Sequence, residues 1–87
     1  MLKNYMEEVV EFLLPTVLDK YDNICKCERC IRDIKALSLN NLKPLYVATE
    51  KGNIYAKVKE LNTQFRADTI KVITEAIEIV CKSPRHI

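Results

Sequence analysis

The sequence predicts an all-α fold, a small bundle of three to four helices with one short extended or loop segment. Three observations lead there. One glycine and three prolines among 87 residues leave few places for tight hairpins. Apolar residues recur at helical spacing over most of the chain. A content of 48% hydrophobic and 30% charged residues is that of a globular chain and not of a disordered one.

The length fits a single domain over residues 1–87, close to the size at which one core is only just sufficient. From Leu2 to about Tyr21, Leu2, Met6, Val9, Leu13 and Val17 form one apolar row, and Val10, Leu14, Leu18 and Tyr21 form a second beside it. Such a wide face predicts more than one neighbour for the first helix, a second subunit included, with Phe12, Leu14 and Leu18 as the surplus surface. Pro15 removes a backbone donor inside this pattern and predicts a kink.

A second helix is expected from about Glu28 to Leu39, with Ile31, Ile34 and Leu37 or Ser38 inward. The run "NNLKP" ends it, because Asn suits a C-terminal cap and Pro44 disfavours helix at Lys43. "LYVAT" reads as extended, too short and solitary for a sheet. "EKGN" reads as a turn. Helical pattern then runs from Asn53 to about Lys82 through Ile54, Val58, Leu61, Phe65, Ile70, Ile73, Ile77 and Val80. Asn62-Thr63 fits either the cap of a new helix or the interior of one long helix.

The stretch "ICKCERC" places Cys25, Cys27 and Cys30 within six positions, and a fourth thiol, Cys81, stands near the end of the chain. Cys27-x-x-Cys30 has the spacing of a metal knuckle. Cys30 would sit in the first turn of the second helix, where backbone amides favour thiolate. If the fold brings Cys81 to the knuckle, four sulfurs surround one tetrahedral zinc, with Lys26, Arg29, Arg32 and Lys82 near enough to offset the excess negative charge. The bundle is then stapled by one structural zinc per chain on Cys25, Cys27, Cys30 and Cys81. A Cys₃His site with His86, an iron–sulfur cluster, a disulfide and four plain free thiols are the competing readings.

The segments "CKCERCIRDIKALSLNNLKPLYVATEKGNIYAK" and "QFRADTIKVITEAI", closed by "SPRH", resemble the late-competence development protein ComFB family of bacteria. The most specific features are the cysteine knuckle followed by "ALSLNNLKPLYV", the trio Gly52, Tyr55 and Lys57, and the terminal Pro84-Arg85-His86. The resemblance implies a small all-helical homodimer whose four cysteines hold a structural zinc. It implies a name inherited from a competence operon and no established enzymatic activity. Some relatives resemble receptors for cyclic dinucleotides (c-di-GMP or c-di-AMP), which is the alternative reading.

The residues themselves give little support to catalysis. The single histidine is His86, and there is no Ser-His-Asp set or phosphate-cradling glycine loop. Four thiolates would leave zinc no open position for water. A net charge of +2 is too small to suggest a nucleic-acid partner. Glu7, Glu8 and Glu11 interrupt any signal-like apolar run, and no stretch is long enough to span a membrane, so a cytoplasmic protein is expected. A binding role fits better. Lys43, Tyr46, Thr49, Lys51, Tyr55 and Lys57 could hold phosphates and stack on a base. The blander reading is a surface loop packed through Leu45, Val47 and Tyr55. The function expected is a non-enzymatic, zinc-stabilised homodimeric regulatory adaptor acting through an unidentified protein partner.

Overall fold

The computed structural model describes residues 1–82, and His86 and the rest of the 83–87 tail lie outside the described residues. Four helices dominate: α1 (Met6–Leu18), α2 (Glu28–Asn40), α3 (Glu50–Glu60) and α4 (Thr63–Lys82). Two short strands, β1 (Lys3–Asn4) and β2 (Tyr46–Val47), pair antiparallel with Lys3 opposite Val47 and Asn4 opposite Tyr46. The all-α expectation is met, with this small sheet as an addition.

Helices α1, α2 and α4 pack against one another around the core. Both apolar rows of α1 are consumed there: Met6, Val9, Val10, Leu13, Leu14, Val17 and Leu18 are all buried. Of the residues expected to be surplus, Leu14 and Leu18 are thus core, and only Phe12 projects into solvent, at 64% exposure. Pro15 lies inside α1, which continues to Leu18. Ile34 and Ser38 face inward from α2, and Thr69, Ile73, Ala76, Ile77 and Val80 from α4.

The first helix begins later than its periodicity suggests, because Asn4 draws the chain into another arrangement. The Asn4 side-chain oxygen accepts from the Met6 amide at 3.1 Å and from the Leu45 amide at 2.9 Å. The Tyr5 amide donates to the Leu45 carbonyl at 2.7 Å. One side chain therefore caps α1 and ties it to the distant extended segment, which gains a strand partner as a result.

"EKGN" forms the first turn of α3 and not a separate turn. Thr49 caps that turn, its hydroxyl accepting from the Gly52 amide at 3.0 Å. A Cβ at Gly52 would stand 3.3 Å from the Thr49 hydroxyl and 3.8 Å from Val47, so glycine permits the close approach of α3 to β2. The ambiguity at Asn62-Thr63 resolves as a helix break. The Asn62 side chain accepts from the Phe65 amide at 3.1 Å and starts α4.

Helix α3 departs most from its expected packing. Ile54, Val58 and Leu61 face solvent, and only Ala56 is buried. Among the described residues no helix is long and apolar enough to cross a membrane.

Candidate metal centre

The linker from α1 to α2 carries the knuckle. Cys25 and Cys27 are exposed and Cys30 is buried, at 2% exposure. Ile24 packs against the core and anchors the strap beside Cys25. Cys27 is the N-cap of α2, with an extended backbone and a sulfur that accepts from the Cys30 amide at 3.5 Å. This is the ordinary logic of an N-cap with sulfur in place of oxygen. It also turns the Cys27 and Cys30 side chains toward each other across one helical turn.

The sulfurs of Cys25, Cys27 and Cys30 all lie within 4.8 Å of one another. A tetrahedral zinc with Zn–S bonds of about 2.3 Å separates its sulfurs by about 3.8 Å. The three thiols are thus gathered to nearly the spacing such an ion needs, and the donor set suits a thiophilic metal. Their electrostatics agree. The Cys30 amide, and then the Cys25 thiol, pull the Cys27 thiol below its ordinary range. Cys30 is pushed up to about 12, first by burial and then by its contacts with Cys25 and Cys27. Three crowded thiols cannot all ionise against one another, so a cation among them would relieve the conflict.

Cys81 stands in the last turn of α4, half-buried. It is not one of the three mutually close sulfurs. Burial raises its thiol, and the charge of Cys25 raises it further. Arg29 and Arg32 flank Cys27 around an open recess of about 570 Å³, and Arg32 is paired with Glu28 at 2.6 Å.

The residues considered for ligand binding separate in space. Thr49 is occupied as the α3 cap. Tyr46 and Tyr55 are largely exposed, so Tyr55 is no packing residue. Lys51 and Lys57 lie on the outer side of α3. Lys43 lines a groove of about 390 Å³ between the 41–45 segment and the start of α4, with Lys59, Phe65 and Asp68. Lys59 stands 5.7 Å from the centre of the Phe65 ring. Reading the sequence does not single out Lys59, since only the break at Asn62 folds it back over Phe65.

The model of the family "Late competence development protein ComFB" matches residues 3–84. The "Competence protein ComFB" of Bacillus subtilis (strain 168) is 33% identical over 84 residues, covering 97% of this chain and 86% of that protein. The structure of the late competence protein ComFB from Bacillus subtilis superposes with a TM-score of 0.86 at 32% identity, covering 100% of this chain and 96% of that one.

Proposed function

The chain belongs to the late competence development protein ComFB family, and from that premise we propose a non-enzymatic, zinc-stapled homodimeric adaptor that acts through protein contacts. The observation that carries this reading is the gathering of the Cys25, Cys27 and Cys30 sulfurs within 4.8 Å. Cys81, half-buried at the end of α4, is the fourth ligand of this reading. Four thiolates close the coordination sphere, which makes the metal a staple. The exposed apolar side chains of α3, with Phe12, supply a surface for protein contacts. The protein works in the cytoplasm, where a thiolate site keeps its metal. Purification without added metal, followed by elemental analysis and light scattering, tests the proposal. About one zinc per chain and about twice the 10.1 kDa chain mass are expected. Absence of zinc with four titrating thiols overturns the staple.

A second reading, a receptor for c-di-GMP or c-di-AMP, draws on the groove of Lys43, Lys59 and Phe65. Its two lysines and one ring suit a phosphate and a base. A ligand that binds only the folded state must raise the melting temperature. A shift of several degrees with either dinucleotide, abolished by Lys43→Ala with Lys59→Ala, would establish the receptor. An unmoved melt leaves the adaptor reading alone.

A further inference from the structure

The three gathered sulfurs of the knuckle are not equivalent. Cys27 is exposed and caps α2, while Cys30 is buried in the first turn of the same helix. The Cys27 sulfur accepts from the Cys30 amide at 3.5 Å, which holds it over the residue that carries the buried thiol. An outer cysteine within reach of solvent is thus backed by an inner one that is shielded from it, across one helical turn. Cys-x-x-Cys at a helix start is the spacing of a reversible dithiol as well as of a metal knuckle. A bridge from Cys27 to Cys25 would close a tighter ring, with one residue between the thiols. Cys81 is not among the mutually close sulfurs.

We propose that Cys27 and Cys30 form a peroxide-sensitive dithiol, which hydrogen peroxide closes into a disulfide and a dithiol reductant reopens. The pairing stands on the geometry of the knuckle, and its consequence rests on the zinc staple above. The Cys27 thiolate attacks one peroxide oxygen. The S–O bond forms, the O–O bond breaks, and the departing hydroxide takes a proton from solvent, leaving a sulfenic acid. The Cys30 thiolate then attacks the Cys27 sulfur. The S–S bond forms, the S–O bond breaks, and a second hydroxide leaves and is protonated. Two thiolates lose two electrons, and one peroxide becomes two waters. A metal needs these sulfurs as thiolates, so the disulfide removes two ligands at once and the knuckle no longer holds zinc. The disulfide ties residues three apart, whereas the staple ties Cys30 to Cys81 across 51 positions. Oxidation therefore exchanges a long-range tie for a local one and releases the end of α4.

The test uses the zinc-loaded full chain, titrated with hydrogen peroxide beside a chromogenic zinc chelator. Trypsin cuts after Lys26, Arg29 and Arg32, so the thiols fall on four separate peptides: 21–26, 27–29, 30–32 and 72–82. After alkylation of the remaining thiols, mass spectrometry should find peptides 27–29 and 30–32 cross-linked, and dithiothreitol should separate them. Dimedone added with the peroxide should label 27–29 and not 30–32. One zinc should be released for each peroxide consumed, with a lower melting temperature that dithiothreitol and zinc restore. A cross-link between any other pair overturns the pairing, as do thiols that all remain alkylatable in excess peroxide. Zinc loss through sulfinic acids without a cross-link overturns the reversible switch. An oxidised chain that melts like the zinc form overturns the release of α4. If the purified chain contains no zinc, the staple falls, and the cross-link in the metal-free chain alone decides the dithiol.

Discussion

The Tyr5 hydroxyl donates to the Glu60 carboxylate at 3.3 Å, joining the start of α1 to the last turn of α3 across 55 positions of chain. Tyr5 is 3% exposed, so its ring is core while its hydroxyl reaches the edge. The length of the bond puts its worth at the low end for a hydrogen bond, about 0.5–1 kcal/mol. Tyr5→Phe should lower stability by that amount in a urea titration at neutral pH. A loss above about 3 kcal/mol would mean that the hydroxyl holds more of the fold than α3 alone.

The same residue gives a pH dependence. Burial first, and then the negative charge of Glu60, hold the Tyr5 hydroxyl above its ordinary range. Above the ordinary value of about 10, the unfolded chain releases this proton while the folded chain keeps it. Stability is therefore fully present below about pH 10 and falls as pH rises toward the folded value. Tyr5→Phe should flatten that alkaline limb, and an unchanged slope in the variant would assign the loss to other groups.

Asn4 supplies a sharper test of the sheet. Its side-chain oxygen satisfies both the Met6 and Leu45 amides. Asn4→Ala leaves both without that acceptor and should cost about 1–2 kcal/mol. Asn4→Asp keeps the oxygen and adds negative charge at the start of α1, so it should retain most of the stability. Equal losses in the two variants would show that the carbonyl oxygen is not what matters.

Ser38 predicts a gain. Its hydroxyl oxygen is buried with no hydrogen-bond partner, in the core between α2 and its neighbours. A buried unpaired hydroxyl is costly, and alanine fills nearly the same space. Ser38→Ala should be neutral or stabilising by up to about 1 kcal/mol. A clear drop in melting temperature would reveal an ordered water bound to that oxygen.

The metal staple gives the largest expected effect. Cys30 and Cys81 are 51 positions apart, so one ion holding both closes most of the chain into a loop. Losing it should cost several kcal/mol in a domain with little stability to spare. Cys81→Ser should lower the melt sharply and weaken zinc retention against a chelator. Cys27→Ser should also weaken zinc retention while keeping the α2 cap, because a serine hydroxyl can accept from the Cys30 amide as the sulfur does. A Cys81→Ser protein that melts like the wild type and keeps its zinc would exclude Cys81 as a ligand.

Much of the bundle was legible because its signals are local. The two apolar rows of α1 named seven residues that prove buried, since a helix between two others uses a wide face. The knuckle was legible for the same reason. A cap residue and a residue in the first helical turn must come close, so the approach of Cys27 to Cys30 follows from spacing alone. The stripe of α3 was read with the right period and the wrong direction. Periodicity says that Ile54, Val58 and Leu61 share a face, but it does not say what covers that face. Leu14 and Leu18 were misassigned in the opposite sense, because the space between α2 and α4 takes both rows.

The sequence by itself determined the helical stretches, the end of α2 near Asn40 and the clustering of three thiols. Each of these depends on residues a few positions apart, where chain geometry leaves little choice. Tertiary structure decided the pairing of Lys3–Asn4 with Tyr46–Val47, the break at Asn62 that folds Lys59 over Phe65, and the outward turn of α3. These join segments tens of residues apart. They are set by a competition for the core between α1, α2 and α4, in which the larger apolar faces of α1 and α4 win and α3 is left with one buried alanine.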